Sequence, residues 1–226
     1  MTLRIVDVLQ GTYEWLQARL GMVTASTIGQ LVTPKTIRPA SNPAERALIT
    51  ALAAERITGW IGDSYMSDDM IRGHLDEPYA RAAYTQATGA EITEAGLLVR
   101  DLDGHKLGYS PDGLVGDDGL VEIKSRQPKK HLAAVVANAV PAENMAQCQA
   151  ALLVAGRQWL DYVSFCGGMR LWVRRVRPDP QWQEALVEAL HAAEMAIDAA
   201  VADYHTNTDG MPDTERPDHD ELEIRL

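Results

Sequence analysis

The chain has 226 residues, enough for one domain with extensions, and 46% of them are hydrophobic, which is ample for a core. Its formal net charge of −11 argues against nucleic-acid binding by general attraction, although it leaves room for a local basic site. The two cysteines form no C-x-x-C pair and the six histidines show no paired metal spacing, which argues against a zinc site.

Helix-capping residues and glycine stops divide the first part of the chain into helices. The predicted elements are a helix capped by Thr12 that ends at Gly21, a helix from Thr24 or Ser26, a loop between Pro34 and Pro39, a helix from Ser41 to Thr58, and a helix from Ser67 to about Gly89. Neither a secretory signal nor a long apolar stretch is evident, so we expect a cytoplasmic protein without a membrane partner.

Strands and helices alternate in the second part of the chain. The predicted elements are a strand over Glu91–Arg100, two strands within Ser110–Lys124, helices from Pro128 to about Ala139 and from Pro141 to Gly156, strands over Trp159–Cys166 and Leu171–Val176, and a helix over Pro180–Tyr204. This order predicts an α/β fold with a mixed central β-sheet flanked by α-helices. In this interpretation residues 1–204 form a single domain and residues 205–226 an acidic C-terminal tail.

The run S-P-D-G-L-V-G-D-D-G-L-V-E-I-K at Ser110–Lys124 predicts two short strands joined by a Gly/Asp turn. Side chains alternate faces along a strand, so Glu122 and Lys124 point the same way, and the hairpin can bring Asp112 alongside them from the end of the first strand. Two carboxylates and an ammonium at one point suit one or two Mg²⁺ ions beside a phosphodiester. An ordinary surface hairpin with E-x-K alternation would give the same pattern. A basic cluster follows, at Lys124, Arg126, Lys129, Lys130 and His131.

Together with three other segments, this hairpin resembles the phage-lambda-type exonucleases, also called the YqaJ-like viral recombinase family, within the PD-(D/E)XK nuclease superfamily. The matching segments are W-L-Q-A-R-L-G-M-V-T-A-S (Trp15–Ser26), R-G-H-L-D-E-P-Y-A-R (Arg72–Arg81), the hairpin itself, and M-A-Q-C-Q (Met145–Gln149). Their order and spacing agree with the family over roughly residues 10–175. The resemblance implies a restriction-endonuclease-like core, so that residues 1–204 would be one nuclease domain.

The resemblance also implies roles for the matched residues. The metal ligands would be Glu77, Asp112, Glu122 and the backbone carbonyl of Ile123. Lys124 would be the catalytic lysine, and Gln147, with Gln149 two residues later, would lie on a helix that lines the catalytic site. Arg19 and Ser26 match positions that hold a terminal 5′ phosphate, and Ser110 lies near the same site. Met70 falls where the family places an apolar wedge between DNA strands.

Several residues in and near the matched segments also have a structural alternative. Glu77 could be an ordinary exposed helical residue, Arg19 a salt-bridge partner, Ser26 a helix cap, Gln147 an interior hydrogen-bonding residue, and Trp15 and Met70 packing residues. A guanidinium binds phosphate bidentately and helix N-termini attract anions, which favours the phosphate role for Arg19 and is compatible with it for Ser26.

The resemblance implies a Mg²⁺-dependent 5′-to-3′ exonuclease, with Mn²⁺ as an alternative ion and two ions per site. Such an enzyme digests one strand of linear double-stranded DNA to 5′ mononucleotides and leaves 3′ single strands for recombination by annealing. It further implies 5′-phosphorylated DNA ends as substrate, a homotrimeric ring, a single-strand annealing protein as partner, and a phage or prophage origin in a bacterial host. A restriction-like endonuclease and a non-catalytic DNA-end-binding subunit are the alternatives; an intact Asp112, Glu122 and Lys124 set argues against the second.

Overall fold

Eleven strands and six helices make up the computed structural model, which describes residues 2–61 and 67–216. The strands are β1 (Leu3–Val6), β2 (Val23–Thr24), β3 (Val32–Thr33), β4 (Arg38–Pro39), β5 (Ile92–Thr93), β6 (Leu97–Leu102), β7 (His105–Tyr109), β8 (Gly113–Val115), β9 (Gly119–Ser125), β10 (Trp159–Phe165) and β11 (Trp172–Val176). The helices are α1 (Tyr13–Ala18), α2 (Pro43–Thr58), α3 (Asp68–Thr88), α4 (Pro128–Ala137), α5 (Ala142–Ala155) and α6 (Pro180–Asn207), and a 3₁₀ turn covers Ile28–Gln30.

Five strands form the sheet that carries the site, in the order β11-β10-β9-β8-β5. β9 and β10 run parallel, and the other neighbours in this sheet run antiparallel. A second sheet has the order β1-β6-β7-β2, and β3 pairs with β4. The predicted α/β class with mixed sheets and flanking helices is confirmed, although the strands divide among separate sheets where one central sheet was expected.

Strand β9 lies between helices on its two faces because its side chains alternate. Val121 and Ile123 pack against Ala80 and Tyr84 of α3. The opposite face contributes Leu120 to the larger core, which contains the buried side chains of α5 and much of α6. Residues of β9 with even numbers therefore face α5, and those with odd numbers face α3.

The helix boundaries follow from capping chemistry. Asn42 and Glu45 form a reciprocal capping box at the start of α2, and Gly59 ends that helix in the left-handed conformation at φ 65°. Ser67 accepts a hydrogen bond from the backbone N–H of Met70 at the start of α3. The predicted helix starts at Ser41–Pro43 and Ser67 and the predicted stops at Gly59 and Gly89 are confirmed.

The prediction was wrong in the strand-rich region around residues 91–109. The single strand expected over Glu91–Arg100 is β5 and β6, separated near Gly96, where a Cβ would lie 2.2 Å from the backbone oxygen of Val6. Val6 is the last residue of β1. Neither β1 nor β7 was expected from the sequence. The helix expected from Thr24 or Ser26 is the end of β2 followed by a 3₁₀ turn, because β2 is buried by pairing with β7.

The end of the chain differs slightly from expectation. α6 continues to Asn207 rather than ending at Tyr204, and residues 208–216 form neither helix nor strand. The remainder of the predicted acidic tail, residues 217–226, lies outside the described residues. None of the helices in the described ranges combines the length and apolar character needed to cross a bilayer.

Candidate active site

The candidate site is a cavity of about 190 Å³ where the chain passes from β7 in one sheet to β8 in the other. Most of the residues singled out in the sequence line it, together with others that were not. Its lining includes Trp15, Arg19, Thr24, Ser26, Tyr109, Ser110, Asp112, Glu122, Ile123, Lys124 and Gln147. Side chains from α1, the β2 region, β9 and α5 therefore converge on one space.

Asp112 immediately precedes β8, and its carboxylate is held against β9. Its Oδ2 accepts a hydrogen bond from the backbone N–H of Ile123 at 2.6 Å. Pairing of β8 with β9 begins at Gly113, opposite Val121, so the Asp112 side chain occupies the position that a further strand residue would take. The N–H and C=O of a strand residue point to the same edge, which directs the Ile123 carbonyl toward Asp112.

Glu122 is the most deeply buried charged group of the site, with 2% of the residue exposed. Its Oε1 accepts hydrogen bonds from Gln147 Nε2 at 2.5 Å and from Lys124 Nζ at 2.8 Å. Its Oε2 accepts one from the Tyr109 hydroxyl at 3.1 Å. Three donors from β7, β9 and α5 thus fix the orientation of one carboxylate, as a buried charge requires.

The pKa shifts show how negative charge is distributed in the site. Burial, together with the nearby Glu122 carboxylate, raises the pKa of Asp112 well above its usual range. Burial lowers the pKa of Lys124, but Glu122 and Asp112 outweigh it, so the net pKa shift is upward and the side chain is an ammonium. Burial and Glu122 also raise the pKa of Tyr109, which keeps its hydroxyl a hydrogen-bond donor.

The donor set fits a hard divalent cation. A bound cation would relieve the repulsion between the neighbouring carboxylates of Asp112 and Glu122, and Ile123, whose backbone N–H binds Asp112, lines the same cavity. Oxygen ligands of this kind suit Mg²⁺ and Mn²⁺, and Mg²⁺ usually retains several waters as well. In the described ranges no three side chains of His, Cys, Asp or Glu are grouped as a metal site, so Asp112 and Glu122 would need further oxygens from backbone, water or substrate.

Glu77 flanks this cavity from α3, on the other face of β9. Its Oε1 accepts hydrogen bonds from Arg81 Nη2 at 2.5 Å and Nε at 3.1 Å. It lines a neighbouring cavity of about 340 Å³ that also contacts Pro111, the residue before Asp112. Glu77 is still near enough to contribute to the raised pKa of Asp112. The structure therefore brings Glu77 close to the other carboxylates but holds it on Arg81.

Arg19 lines the same cavity among hydroxyl groups. Its Nη2 donates to Thr24 Oγ1 at 3.3 Å, and its guanidinium stacks over Trp15, 4.4 Å from the ring centroid. Trp15 Nε1 donates to Ser110 Oγ at 2.7 Å, and Thr24 Oγ1 lies 3.1 Å from Ser26 Oγ. Burial lowers the pKa of Arg19, opposed by Glu55. No carboxylate of the described ranges lies within 4.0 Å of this guanidinium, so it is available to an anion.

Two other residues highlighted in the sequence lie elsewhere. Met70 is in the first turn of α3, 48% exposed, and lines neither of these cavities. Gln149 is buried on the far side of α5, where its amide joins the carbonyl of Arg177 and the N–H of Asp179, each at 2.9 Å. Residues two apart on a helix face away from each other, so Gln147 reaches the cavity and Gln149 does not.

The basic cluster after the hairpin is partly structural. Arg126 donates to the Tyr162 hydroxyl at 2.6 and 3.1 Å and also to Asn144 Oδ1, which ties β9 to β10 and α5. Burial raises the pKa of Tyr162 to about 12. His131 is buried, with its ring nitrogens 2.9 Å from Ser164 Oγ and 3.0 Å from a backbone oxygen, so it is not a surface cation.

Among the cavity-lining residues that sequence reasoning missed, two hydrogen-bond to charged groups of the site. Tyr109 and Thr24 complete the surroundings of Glu122 and Arg19, respectively. The signal for Tyr109 was available, because it directly precedes Ser110 of the matched segment, but it depends on recognising β7 as a strand. Thr24 lies within the matched segment and was passed over in favour of Ser26.

Comparison with solved structures supports this arrangement as a known fold. A crystal structure of the alkaline exonuclease from Laribacter hongkongensis is 29% identical to this chain, with a TM-score of 0.78. The same exonuclease in complex with dAMP is 30% identical, with a TM-score of 0.79, and each alignment covers 89% of this chain and 100% of the other. A phage-related exonuclease from Haemophilus somnus 129PT, at 11% identity, shows the fold alone, with a TM-score of 0.67 and coverage of 81% and 96%.

A family comparison agrees with the structural one. The model of the YqaJ-like viral recombinase domain matches residues 14–158, which is more than half of the chain. No curated protein sequence is significantly similar to it. The expected restriction-endonuclease-like fold is confirmed by the match to the alkaline exonuclease. The chain belongs to the YqaJ-like viral recombinase family, the lambda-exonuclease type that its four sequence segments resemble.

Proposed function

We propose that the protein is a divalent-metal-dependent exonuclease that degrades one strand of linear duplex DNA from its 5′ end. It releases 5′ mononucleotides and leaves 3′ single strands for recombination by annealing. The family and the likeness to the Laribacter alkaline exonuclease support a DNA exonuclease. One observation supports digestion from the 5′ end. Arg19, the proposed ligand of the 5′ phosphate, lines the same cavity as Asp112, Glu122 and Lys124.

The cation would be Mg²⁺, with Mn²⁺ as the alternative, held by Asp112, Glu122 and the Ile123 carbonyl. Glu77 would complete the set, and two ions per site are proposed. A bound cation of this kind lowers the pKa of a coordinated water and neutralises charge on the phosphate. The juxtaposition of Asp112 and Glu122 in the lining of one cavity supports this assignment.

Residues of the protein would position the substrate and the attacking water. Arg19 and the hydroxyls of Ser26 and Ser110 would hold the terminal 5′ phosphate, which positions the first phosphodiester beside Asp112 and Glu122. The Lys124 ammonium would orient the attacking water and offset charge on the phosphate. Tyr109 and Gln147 would keep Glu122 in place. Each cleavage leaves a new 5′ phosphate, so the same pocket would serve every cycle.

Two further parts of the proposal concern assembly and setting. A homotrimeric ring around the duplex would retain the substrate despite a net charge of −11, because enclosure does not depend on long-range attraction. A single-strand annealing protein would bind the 3′ strand that digestion exposes. Met70, exposed in the first turn of α3, would separate the strands ahead of the site. The setting would be the cytoplasm of a bacterial host, with a phage or prophage origin.

Digestion of a labelled linear duplex tests the proposal directly. We expect degradation from 5′-phosphorylated ends in Mg²⁺, with mononucleotides as product, and none in EDTA. A covalently closed circular duplex should stay intact, because the reaction starts from an end. Cutting of the circle would instead indicate an endonuclease. Binding of ends without degradation in either Mg²⁺ or Mn²⁺ would indicate a non-catalytic subunit.

Arg19→Ala should chiefly remove the preference for phosphorylated ends. A hydrogen bond to a charged group contributes about 1.5–3 kcal/mol, so we expect roughly a 10- to 100-fold loss on phosphorylated ends and little change on hydroxyl ends. The measurement is kcat/KM on the two kinds of end, with Arg38→Ala, an exposed arginine, as the control. Equal losses on both kinds of end would contradict the phosphate pocket.

A further inference from the structure

Two hydrogen bonds of Ser125 join β9 to α3, and one of them links the sequence neighbours of two site residues. Ser125 follows Lys124 on β9, and Asp76 precedes Glu77 on α3. The Ser125 hydroxyl donates to Asp76 Oδ2 at 2.6 Å, and Arg72 Nε donates to Ser125 Oγ at 3.1 Å. The strand that carries Glu122 and Lys124 is therefore tied to the helix that carries Glu77, one residue away from each.

Apolar packing cannot by itself fix this part of α3. Ala80 and Tyr84 pack on Val121 and Ile123, but toward the start of the helix the outer apolar side chains are exposed, as at Leu75 with 66%. Alternation along β9 turns Ser125 to the α3 face, where Val121 and Ile123 also lie. The bond to Asp76 extends the contact between β9 and α3 to the turn that holds Glu77.

The outer part of this network is weaker. Arg72 Nη1 pairs with Asp69 at 2.7 Å, and Gln127 and Lys130 approach the same carboxylate at 3.2 and 3.6 Å. Asp69, Gln127 and Lys130 are exposed, and ion pairs with an exposed partner contribute little. Ser125 and Asp76 are half-buried, so their bond is the better candidate for fixing the helix.

We propose that Ser125 and Asp76 form a brace that sets the separation of Glu77 from Asp112 and Glu122, and thereby the affinity for the divalent cation. They are positioning residues, since neither lines the cavity. The inference rests on the proposed function, in which all three carboxylates serve one metal centre. Groups that orient metal ligands typically change affinity or activity 10- to 100-fold when removed.

Ser125→Val and Ser125→Thr form a matched pair for the test, because they differ by a methyl group in place of the hydroxyl. Binding of Mn²⁺ is measured by calorimetry without DNA, alongside kcat and KM on a phosphorylated duplex. We expect Ser125→Val to bind Mn²⁺ about tenfold more weakly and to lose kcat with little change in KM. Ser125→Thr should stay within about twofold of the parent, because its hydroxyl can still donate to Asp76.

Asp76→Asn provides an independent check, since its amide oxygen still accepts the Ser125 hydroxyl. It should fall between the two Ser125 variants, and a melting curve for each variant establishes that it is folded. Equal Mn²⁺ affinity of folded Ser125→Val and Ser125→Thr would overturn the brace, whatever the parent's activity. If the parent binds Mn²⁺ but does not degrade DNA, only the proposed function is overturned. The brace is tested separately, by the Mn²⁺ affinities of the Ser125 variants.

Discussion

Lys124→Ala should reduce DNA cleavage about 10²- to 10⁴-fold, the range typical for a group that assists proton transfer or orients the nucleophile. The ammonium lies 2.8 Å from Glu122 Oε1 and is 29% exposed at its side chain, so it reaches the cavity as well as the carboxylate. In the described ranges no hydrogen bond joins Lys124 to Arg19 or its hydroxyl neighbours, and binding of phosphorylated ends should therefore persist. Single-turnover cleavage and end binding in Ca²⁺ measure the two effects separately.

Lys124→Arg and Lys124→Met distinguish the roles that the lysine could have. The carboxylates of Glu122 and Asp112 raise the pKa of Lys124, so the metal-free site contains a cation there rather than a free base. If the positive charge is what matters, Lys124→Arg should retain much more activity than Lys124→Met, which has similar length without charge. Full activity of Lys124→Met would remove the lysine from the mechanism.

The cluster of Asp112, Glu122 and Lys124 illustrates what local sequence patterns can specify. Alternation along one strand is enough to place Glu122 and Lys124 on one face, and their 2.8 Å contact follows from it. The hairpin brings Asp112 alongside β9 as expected, although Asp112 lies just before β8 begins and not at the end of that strand. Both inferences use contacts that are close in the chain, where geometry is most restricted.

Glu77 shows where such reasoning stops. It lies on a helix that packs on the face of β9 opposite Glu122, and its distance from Asp112 depends on how that helix meets the sheet. The sequence contains Arg81 four residues later, so the ion pair on one helix face was accessible to the i, i+4 rule. Whether the Glu77 carboxylate binds Arg81 or a cation depends on the position of α3 relative to the sheet and on whether a cation is present.

The missed strands β1 and β7 have a different cause. β7 contains Gly108, which weakens the strand pattern and lies close to the Met22 side chain, where a Cβ would be 2.9 Å from its sulfur. β1 is short and exposed on most of its length, which leaves little periodicity to detect. Without β7, the cavity wall formed by Tyr109 could not be anticipated.

Asp112→Asn should abolish cleavage and yet stabilise the metal-free protein at neutral pH. The amide oxygen can still accept the Ile123 N–H, so the local geometry is preserved. Loss of a metal ligand removes several kcal/mol of transition-state stabilisation, which corresponds to at least about 10³-fold in rate. The stability gain arises because the substitution removes one of two neighbouring buried carboxylates.

The stability of the metal-free parent should fall as the pH rises. Burial and Glu122 raise the folded-state pKa of Asp112 above the unfolded value of about 3.9, so folding favours its protonated form. That contribution to stability is complete below the unfolded pKa and is lost as pH rises through the folded one. In EDTA, the parent and Asp112→Asn should therefore melt at similar temperatures at acidic pH, and the parent should melt lower at pH 8.

Mg²⁺ should reverse this order by binding the parent. A ligand that binds only the folded state raises the melting temperature with its concentration, so Mg²⁺ should stabilise the parent and leave Asp112→Asn nearly unchanged. Asp203→Asn, an exposed carboxylate on α6, is the control and should behave like the parent in both buffers. Equal stabilisation of parent and Asp112→Asn by Mg²⁺ would contradict a cation centre at Asp112. A lower melting temperature for Asp112→Asn at pH 8 in EDTA would contradict the destabilising effect of its buried carboxylate.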